Sequence, residues 1–219
     1  MTIGGPPDWR RLFRIATSLI DQVNRAYPII DEWSFGGGTA MMLQIEHRDS
    51  HDVDIFLPDP QVLGYLDPVK AELKFDVVPD GYEGDGVKFQ KFAFTGVGEI
   101  DFIVARGLTS VPYARMSVEN ATVLLETVPE IVAKKIYYRG ASIRPRDIFD
   151  IAAAAESHER ELVEELRRYR PHVEATLSAI AGLNVDFVSA AIAQLMIRPA
   201  FQHVAATAIQ RTNTVLKMV

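Results

Sequence analysis

The chain has 219 residues, of which 48% are hydrophobic, and its formal net charge is −6. A chain of this length can form one domain with a helical extension, and its acidic charge argues against a protein that coats nucleic acid through bulk charge, without excluding a local basic patch. The absence of cysteine excludes disulfides, thiolate catalysis and zinc sites built on sulfur.

The first predicted element is a helix near the N-terminus. We expect residues 1–7 to form a loose arm, after which Asp8 can cap a helix whose apolar residues recur at helical spacing from Trp9 to Val23. Pro28 ends this helix. The N-terminus lacks the pattern of a signal peptide, and no apolar run in the chain is long enough to cross a bilayer. We therefore expect a cytoplasmic protein that does not enter a membrane.

The next predicted unit is a strand, a helix and a second strand over residues 35–57. A run of glycines, Gly36 to Gly38, joins the first strand to the helix. Glycines allow backbone N–H groups to approach a phosphate, and the helix that follows directs its positive end towards it. We predict that Thr39 caps this helix, with its hydroxyl placed where a phosphate would bind. Taken alone, three glycines are more often a plain turn.

The second strand of this unit carries two carboxylates. Asp52 and Asp54 are two residues apart, so a strand places both on one face, while Val53 and Ile55 face the core. Two adjacent carboxylates repel each other unless a cation lies between them, and hard oxygen ligands suit Mg²⁺. An isolated D-x-D sequence is more often a solvated strand edge. Together with the glycines, it predicts a site for phosphoryl transfer.

The loop between this helix and its second strand contains two further polar residues. We expect His47 to be a structural residue that forms hydrogen bonds. Arg48 has two alternatives of equal weight, because it either binds a phosphate or pairs with a nearby carboxylate.

The middle of the chain predicts several strands. We expect a weakly indicated helix over residues 62–74 and strands over 75–78, 87–94 and 99–105, followed by a last extended segment at 115–126. Asp101 lies in the middle of the strand 99–105. A buried carboxylate without a partner is costly, so this residue fits its strand only if it faces a metal site.

The last third of the chain is predicted to be helical and is rich in alanine. Pro129 and Pro145 each begin a helix. Lys135 and Arg139 lie one turn apart on the first, and Asp147 and Asp150 lie one turn apart on the second. From the residues alone, a set of ion pairs is the favoured interpretation.

At this point the sequence resembles the AbiEii/AbiGii-type toxins, which belong to the DNA polymerase β-like nucleotidyltransferase superfamily. The resemblance covers roughly residues 35–151, and the residues that carry it are Gly37-Gly38-Thr39-Ala40, His47-Arg48-x-Ser50-x-Asp52-x-Asp54-x-Phe56, Lys135, Arg139 and Arg146-Asp147-x-x-Asp150. It implies an α/β (α+β) fold with a polymerase β-like core and a mixed, largely antiparallel sheet. We predict this α/β domain over residues 1–127 and a helical C-terminal region over 128–219, packed against it.

The resemblance also implies a set of site residues. The implied catalytic residues are Asp52, Asp54, Asp101, Lys135 and Asp147, of which the first three are the implied metal ligands. The implied nucleotide-binding residues are Gly37, Gly38, Thr39, Arg48, Ser50 and Lys135. Asp76 and Glu99 are alternatives for the third acid. Lys135 would act as a point charge on the triphosphate, and Asp147 would orient that lysine or accept a proton from the acceptor.

The function that the resemblance implies is transfer of a nucleotide from an NTP to an acceptor hydroxyl, with Mg²⁺ or Mn²⁺ and release of pyrophosphate. The acceptor would be an RNA such as tRNA, and a cognate antitoxin would be the protein partner. Two alternatives remain open, a phosphotransferase that uses the same residues and a module that binds NTP without turnover. The intact set of Asp52, Asp54, Asp101 and Lys135 argues against the second alternative.

Overall fold

A computed structural model describes residues 8–219 of the chain, so the predicted N-terminal arm lies outside the described residues. The strands are β1 (Ser34–Gly36), β2 (Val53–Leu57), β3 (Gly81–Gly84), β4 (Phe89–Phe94), β5 (Gly98–Val104), β6 (Tyr113–Val118) and β7 (Ala121–Glu126). The α-helices are α1 (Trp9–Ala26), α2 (Gly37–Ile45), α3 (Val128–Arg139), α4 (Pro145–Leu166), α5 (Arg170–Ala181), α6 (Val185–Ala193), α7 (Gln202–Ala205) and α8 (Ala208–Lys217). Short 3₁₀ helices cover Pro60–Leu66, Gly140–Ser142, Arg167–Tyr169 and Pro199–Phe201.

The described residues divide into two compact units. The first unit contains residues 8–40, 50–107 and 113–126, and the second contains residues 41–49, 108–112 and 127–219. The last change between units falls between Glu126 and Thr127, next to the predicted domain boundary. Two short segments before this boundary belong to the second unit, because residues such as Arg48 form their contacts with its helices.

The first unit is built on a seven-stranded sheet with the order β3-β4-β5-β2-β1-β7-β6. Strand β2 pairs parallel with β5, and β1 pairs parallel with β7, while the other neighbours are antiparallel. The predicted mixed sheet of an α/β fold is therefore confirmed. Two registers matter for the site, because Asp54 lies opposite Asp101 on β5 and opposite Gly36 on β1.

Helix α1 covers the sheet with the apolar face that its sequence predicts. The side chain of Asp8 accepts hydrogen bonds from the backbone N–H groups of Arg10 and Arg11, which confirms its role as the N-cap. Phe13 is buried, and its ring centroid lies 5.1 Å from that of Phe35 on β1. Burying a side chain of this size stabilises the fold by about 1.5–3 kcal/mol.

Two predictions for the middle of the chain are wrong in detail. Residues 75–78 form no strand, and the predicted helix over 62–74 is only the 3₁₀ helix Pro60–Leu66. Asp67 follows this 3₁₀ helix and precedes Pro68, and a proline disfavours helical geometry in the residue before it. The predicted extended segment at 115–126 is a hairpin of β6 and β7, whose turn residues Glu119 and Asn120 both have positive φ angles.

The second unit confirms the predicted helical region. Thr127 caps α3, and its hydroxyl accepts a hydrogen bond from the N–H of Glu130. The longest helix, α4, packs against α3 and α8 and has a non-helical residue at His158. Among residues 8–219, no single helix has the length and apolar composition to span a membrane, although one pair, 145–181 with 185–193, meets both criteria across a 97° bend.

Candidate active site

The junction between β1 and α2 is made by glycines, as the sequence predicts. Helix α2 begins at Gly37, whose φ of +69° is a left-handed conformation that favours glycine. A Cβ atom at this position would overlap the carboxylate of Asp54. Gly37 is therefore required twice, once for the direction of the backbone and once for the close approach of Asp54.

Thr39 has a different role from the predicted one. Because α2 begins at Gly37, Thr39 is the third residue of the helix, and the prediction that it is the N-cap is wrong. Its side chain is fully buried, and its hydroxyl donates to the backbone carbonyl of Asp52 at 2.5 Å, with the Ser50 hydroxyl 3.1 Å away. The hydroxyl thus fixes the backbone just before β2. Its predicted contact with a phosphate, like that of Ser50, stays a prediction.

Three carboxylates lie around the adjacent strands β2 and β5. Asp54 and Asp101 are direct neighbours across the two strands. Asp52 lies one residue before β2, and its Oδ1 accepts a hydrogen bond of 3.1 Å from the N–H of Glu99. The structure thus gathers the predicted acids in one unit, with Asp54 facing Asp101 and Asp52 held by the backbone.

The pKa of Asp101 reports the electrostatics of this cluster. Burial, followed by the negative charge of Asp54, raises the pKa of Asp101 to about 7. The ammonium of Lys91 on β4, with its Nζ 3.5 Å from Asp101, opposes this shift only partly. A second positive charge near these carboxylates would hold both of them ionised.

The two alternatives for the third acid lie in other environments. The carboxylate of Glu99 accepts a hydrogen bond of 2.5 Å from the ammonium of Lys91. Asp76 is exposed and lies in an irregular segment outside the strands. Of the three candidates, Asp101 is the one that lies directly across from Asp54 in the sheet.

The donor set fits a divalent cation held by two carboxylates. Asp101 Oδ1 is buried and has no hydrogen-bond partner among residues 8–219, so one oxygen of this carboxylate is available as a ligand. Mg²⁺ commonly takes one or two carboxylates and leaves its other positions to water and phosphate. No group of three or more histidine and acidic side chains converges as ligands within the described chain. The predicted set of three aspartate ligands therefore stays a prediction.

Two residues of this region were missed in the sequence. Lys91 lies opposite Asp101 on the neighbouring strand β4. Glu126 ends β7 and is 1% exposed, and its Oε1 accepts a hydrogen bond of 2.8 Å from the Ser34 hydroxyl. A Cβ atom at Gly36 would overlap the carboxylate of Glu126. A charged residue at a buried strand position is the signal that could have identified Glu126.

The second unit contains a separate cluster of buried charges around Lys135. Its Nζ lies 2.8 Å from Asp147 Oδ1 and 2.9 Å from Asp150 Oδ2. Both carboxylates are fully buried, and the lysine side chain is 6% exposed. Arg139 also donates to Asp147, at 2.6 Å. The ion pairs predicted from the helical spacing are therefore confirmed, and the structure shows that they are buried.

Asp150 also binds two residues of the loop after α2. The Nε and Nη2 atoms of Arg48 donate to its two oxygens at 2.7 and 3.0 Å, and the Nε2 of His47 lies 3.0 Å from Oδ1. Of the two alternatives for Arg48, the structure shows the pair with a carboxylate, and the contact with a nucleotide stays a prediction. His47 is fully buried and forms a hydrogen bond, as expected.

The cations of this cluster determine the direction in which the pKa values of its carboxylates shift. Burial on its own raises the pKa of Asp150, but Arg48 and Lys135 outweigh it and hold the pKa well below the usual range. Burial also raises the pKa of Asp147, but the charges of Lys135 and Arg139 outweigh it, so this pKa is lowered as well. Both aspartates therefore stay ionised at neutral pH. With three cations around two anions, the cluster has an excess positive charge before His47 is counted.

The chain matches a known protein family, and its fold is similar to solved structures. The profile of the family described as "Nucleotidyl transferase AbiEii toxin, Type IV TA system" matches residues 25–213. The fold is similar to that of MenT4, a nucleotidyltransferase toxin from Mycobacterium tuberculosis H37Rv, with a TM-score of 0.54, 16% identity and coverage of 96% of this chain and 85% of that one. JHP933 from Helicobacter pylori also matches, with a TM-score of 0.45, 12% identity and coverage of 94% and 88%. No curated protein sequence matches the chain.

Proposed function

The chain belongs to the AbiEii family of nucleotidyltransferase toxins of type IV toxin–antitoxin systems, and from this premise we propose that it moves a nucleotide from an NTP to a hydroxyl of an RNA such as tRNA. The donor loses pyrophosphate in this reaction. Mg²⁺ or Mn²⁺ is the cofactor, since nucleotidyltransferases of this kind generally use a divalent cation. The family also implies a cognate antitoxin as the protein partner.

The observation that carries the proposal is the pairing of Asp54 with Asp101 beside Gly37. Two carboxylates face each other there, and the first turn of α2 begins next to them. A cation between carboxylates and backbone N–H groups at a helix N-terminus are complementary to a metal-bound triphosphate.

In the proposed site, Asp54 and Asp101 hold the metal, and Asp52 is the third predicted ligand. The bound metal supplies the positive charge that neutralises the phosphates. The chain contributes the geometry, because the N–H of Glu99 holds the Asp52 carboxylate and the Thr39 hydroxyl holds its backbone. The backbone N–H groups of Gly37 and Gly38 bind the triphosphate.

Lys135 and Asp147 complete the proposed catalytic residues. Lys135 stabilises the charge that develops on the triphosphate in the transition state. Asp147 lies 2.8 Å from its ammonium and fixes its direction. Since the pKa of Asp147 is lowered, it is poorly suited to accept a proton from the acceptor. We therefore favour the orienting role over that of a general base.

The test is a labelling experiment on the purified protein. The protein is incubated with total RNA, Mg²⁺ and each of the four NTPs, labelled either at the α-phosphate or at the γ-phosphate. Nucleotidyl transfer places the α-label on RNA and releases the γ-label in pyrophosphate, and EDTA abolishes both results. Transfer of the γ-label to RNA or protein would instead identify the phosphotransferase alternative. A protein that binds NTP but transfers neither label would contradict the proposal.

A further inference from the structure

One basic segment of the second unit contains residues that take no part in the proposed reaction. Residues 131–146 contain five basic residues and no acidic one, in a chain whose net charge is −6. Lys134 and Lys135 in this segment are buried. Arg144 is exposed and Arg146 is half-buried, and neither forms an ion pair with a carboxylate of residues 8–219. These two guanidinium groups are available to an anionic partner.

Two tyrosines lie beside these arginines in the chain, in the last turn of α3. Tyr137 is 38% exposed and Tyr138 is 55% exposed, and their rings form an edge contact with centroids 4.9 Å apart. The ring of His172 stacks on Tyr137 at 4.4 Å, and Tyr169 contacts it at 5.4 Å. Tyr137 is thus supported from behind by other rings, while Tyr138 presents much of its ring to solvent.

The aromatic support is itself anchored. The hydroxyl of Tyr169 donates to the backbone carbonyl of Leu108 at 2.5 Å. The 3₁₀ helix Gly140–Ser142 packs against α5, which carries His172, so the turn between α3 and α4 has a fixed course. A rigid tyrosine loses little conformational entropy on binding, which favours a stacking partner.

We propose that Tyr137, Tyr138, Arg144 and Arg146, the Tyr–Arg surface, bind a single-stranded segment of the acceptor RNA. A base stacks on Tyr138, and Arg144 and Arg146 bind the phosphates beside it. Exposed aromatic rings followed closely in the chain by unpaired cations are a combination that suits single-stranded nucleic acids. The inference that the nucleic acid is RNA rests on the proposed function. The inference that it is single-stranded rests on the charges and aromatic rings alone.

The test measures RNA binding without catalysis. Fluorescence anisotropy of a labelled single-stranded RNA of about 12 nucleotides is recorded over a range of salt concentrations, with EDTA and without NTP. We expect Tyr138→Ala to weaken binding roughly tenfold, because one base no longer stacks on the protein. The double variant Arg144→Gln/Arg146→Gln should flatten the slope of log K against log salt by about 1.4, which is about 0.7 for each phosphate that the protein no longer neutralises.

Two matched controls exist in the same chain. Tyr27 is 57% exposed and pairs with Tyr65 at a centroid distance of 5.4 Å, so Tyr27→Ala removes a tyrosine of the same exposure and kind. Arg160 is exposed on α4 between Glu159 and Glu161, so Arg160→Gln removes a comparable charge from an acidic neighbourhood. Both controls should bind RNA like the unchanged protein.

Several outcomes would overturn the inference. The first is an equal loss of affinity in the Tyr138→Ala and Tyr27→Ala variants. The second is stronger binding of duplex RNA than of single-stranded RNA. The third is an unchanged RNA affinity in both surface variants. The third outcome would indicate that the Tyr–Arg surface binds a protein partner instead. A protein that transfers nucleotides but binds RNA normally after substitution refutes the inference alone. A protein that binds RNA through this surface but transfers no nucleotide refutes the proposed function alone.

Discussion

Asp101 of the first unit and Asp150 of the second lie in opposite electrostatic surroundings. The first unit carries 10 basic and 17 acidic residues, a net charge of −7, and the second carries 13 and 12, a net charge of +1. In the first, Asp101 faces another carboxylate and its pKa is raised to about 7. In the second, Asp150 is surrounded by cations and its pKa is well below the usual range.

The cluster around Asp101 requires a cation from outside, whereas the cluster around Asp150 contains its own cations. Burial raises the pKa of both aspartates, so burial does not distinguish them. The neighbours do. A carboxylate opposite another carboxylate stores repulsion that a bound cation relieves, whereas a carboxylate between Arg48 and Lys135 gains nothing from a further cation. The comparison predicts that substitutions in the two clusters affect different quantities.

The largest expected effect is the loss of activity in Asp54→Asn. This variant removes one proposed metal ligand, and we expect nucleotidyl transfer to fall by about a thousandfold or more, since it loses a preorganised charge of the site. Its thermal stability should be unchanged or higher, because the repulsion with Asp101 is removed. Asp76→Asn, in an exposed irregular segment, is the matched control and should retain activity. Normal turnover of Asp54→Asn would end the metal assignment.

Next in size is the loss of stability in Lys135→Ala. Breaking a buried ion pair costs about 3–5 kcal/mol. We expect a value near the lower end because Asp147 keeps Arg139 and Asp150 keeps Arg48. Urea unfolding measures this loss, and nucleotidyl transfer should be reduced in the fraction that remains folded. A fully exposed lysine would instead cost well under about 1 kcal/mol.

Lys134→Ala is the matched control for Lys135→Ala. Lys134 is 5% exposed, and its Nζ lies 3.6 Å from Glu130. Glu130 also accepts hydrogen bonds from Leu108 and Thr109, so it remains bonded when the lysine is removed. We expect a smaller loss of stability and no direct effect on transfer. Equal effects at both positions would remove the distinction between the two lysines.

The smallest expected effect is a dependence of stability on pH through Asp101. Its pKa of about 7 in the folded state lies above the ordinary value of 3.8. The neutral acid therefore favours the folded state. This contribution is complete below about pH 4 and is lost as the pH rises through 7. Without metal, we expect the chain to lose on the order of 2 kcal/mol relative to Asp101→Asn between pH 5 and 8.

Urea unfolding of both proteins in EDTA at these two pH values measures this difference directly. Added Mg²⁺ should restore stability at the higher pH more than at the lower, because the ionised pair binds the cation. A difference between the two proteins that does not change with pH would show that Asp101 is ionised throughout.

Local signals in the sequence were sufficient for much of the fold. Helical spacing and the cap at Asp8 predicted α1, and the alternation around Asp54 predicted β2. The segment 75–78 has the composition of a strand but forms none, because strand formation depends on a pairing partner that composition does not reveal. The cap at Thr39 failed because the left-handed Gly37 already begins the helix.

The candidate site was predictable to the extent that its residues are close in the chain. The spacing of Lys135, Asp147 and Asp150 on adjacent helices indicated their ion pairs. The partner of Arg48 was not predictable, because Asp150 lies 102 residues further along the chain. Lys91 and Glu126 were missed for the same reason, since their relation to the site depends on the order of the strands.

The crowding around Asp150 has a consequence for the evolution of this chain. Its two oxygens serve His47, Arg48 and Lys135 together, so no acceptor capacity is left for a fourth donor of this strength. Asparagine would direct an amide N–H at a cation, and glutamate would add a methylene at a fully buried position. A change at any of these positions thus requires changes at the others, and homologous chains should inherit or replace the set as a whole.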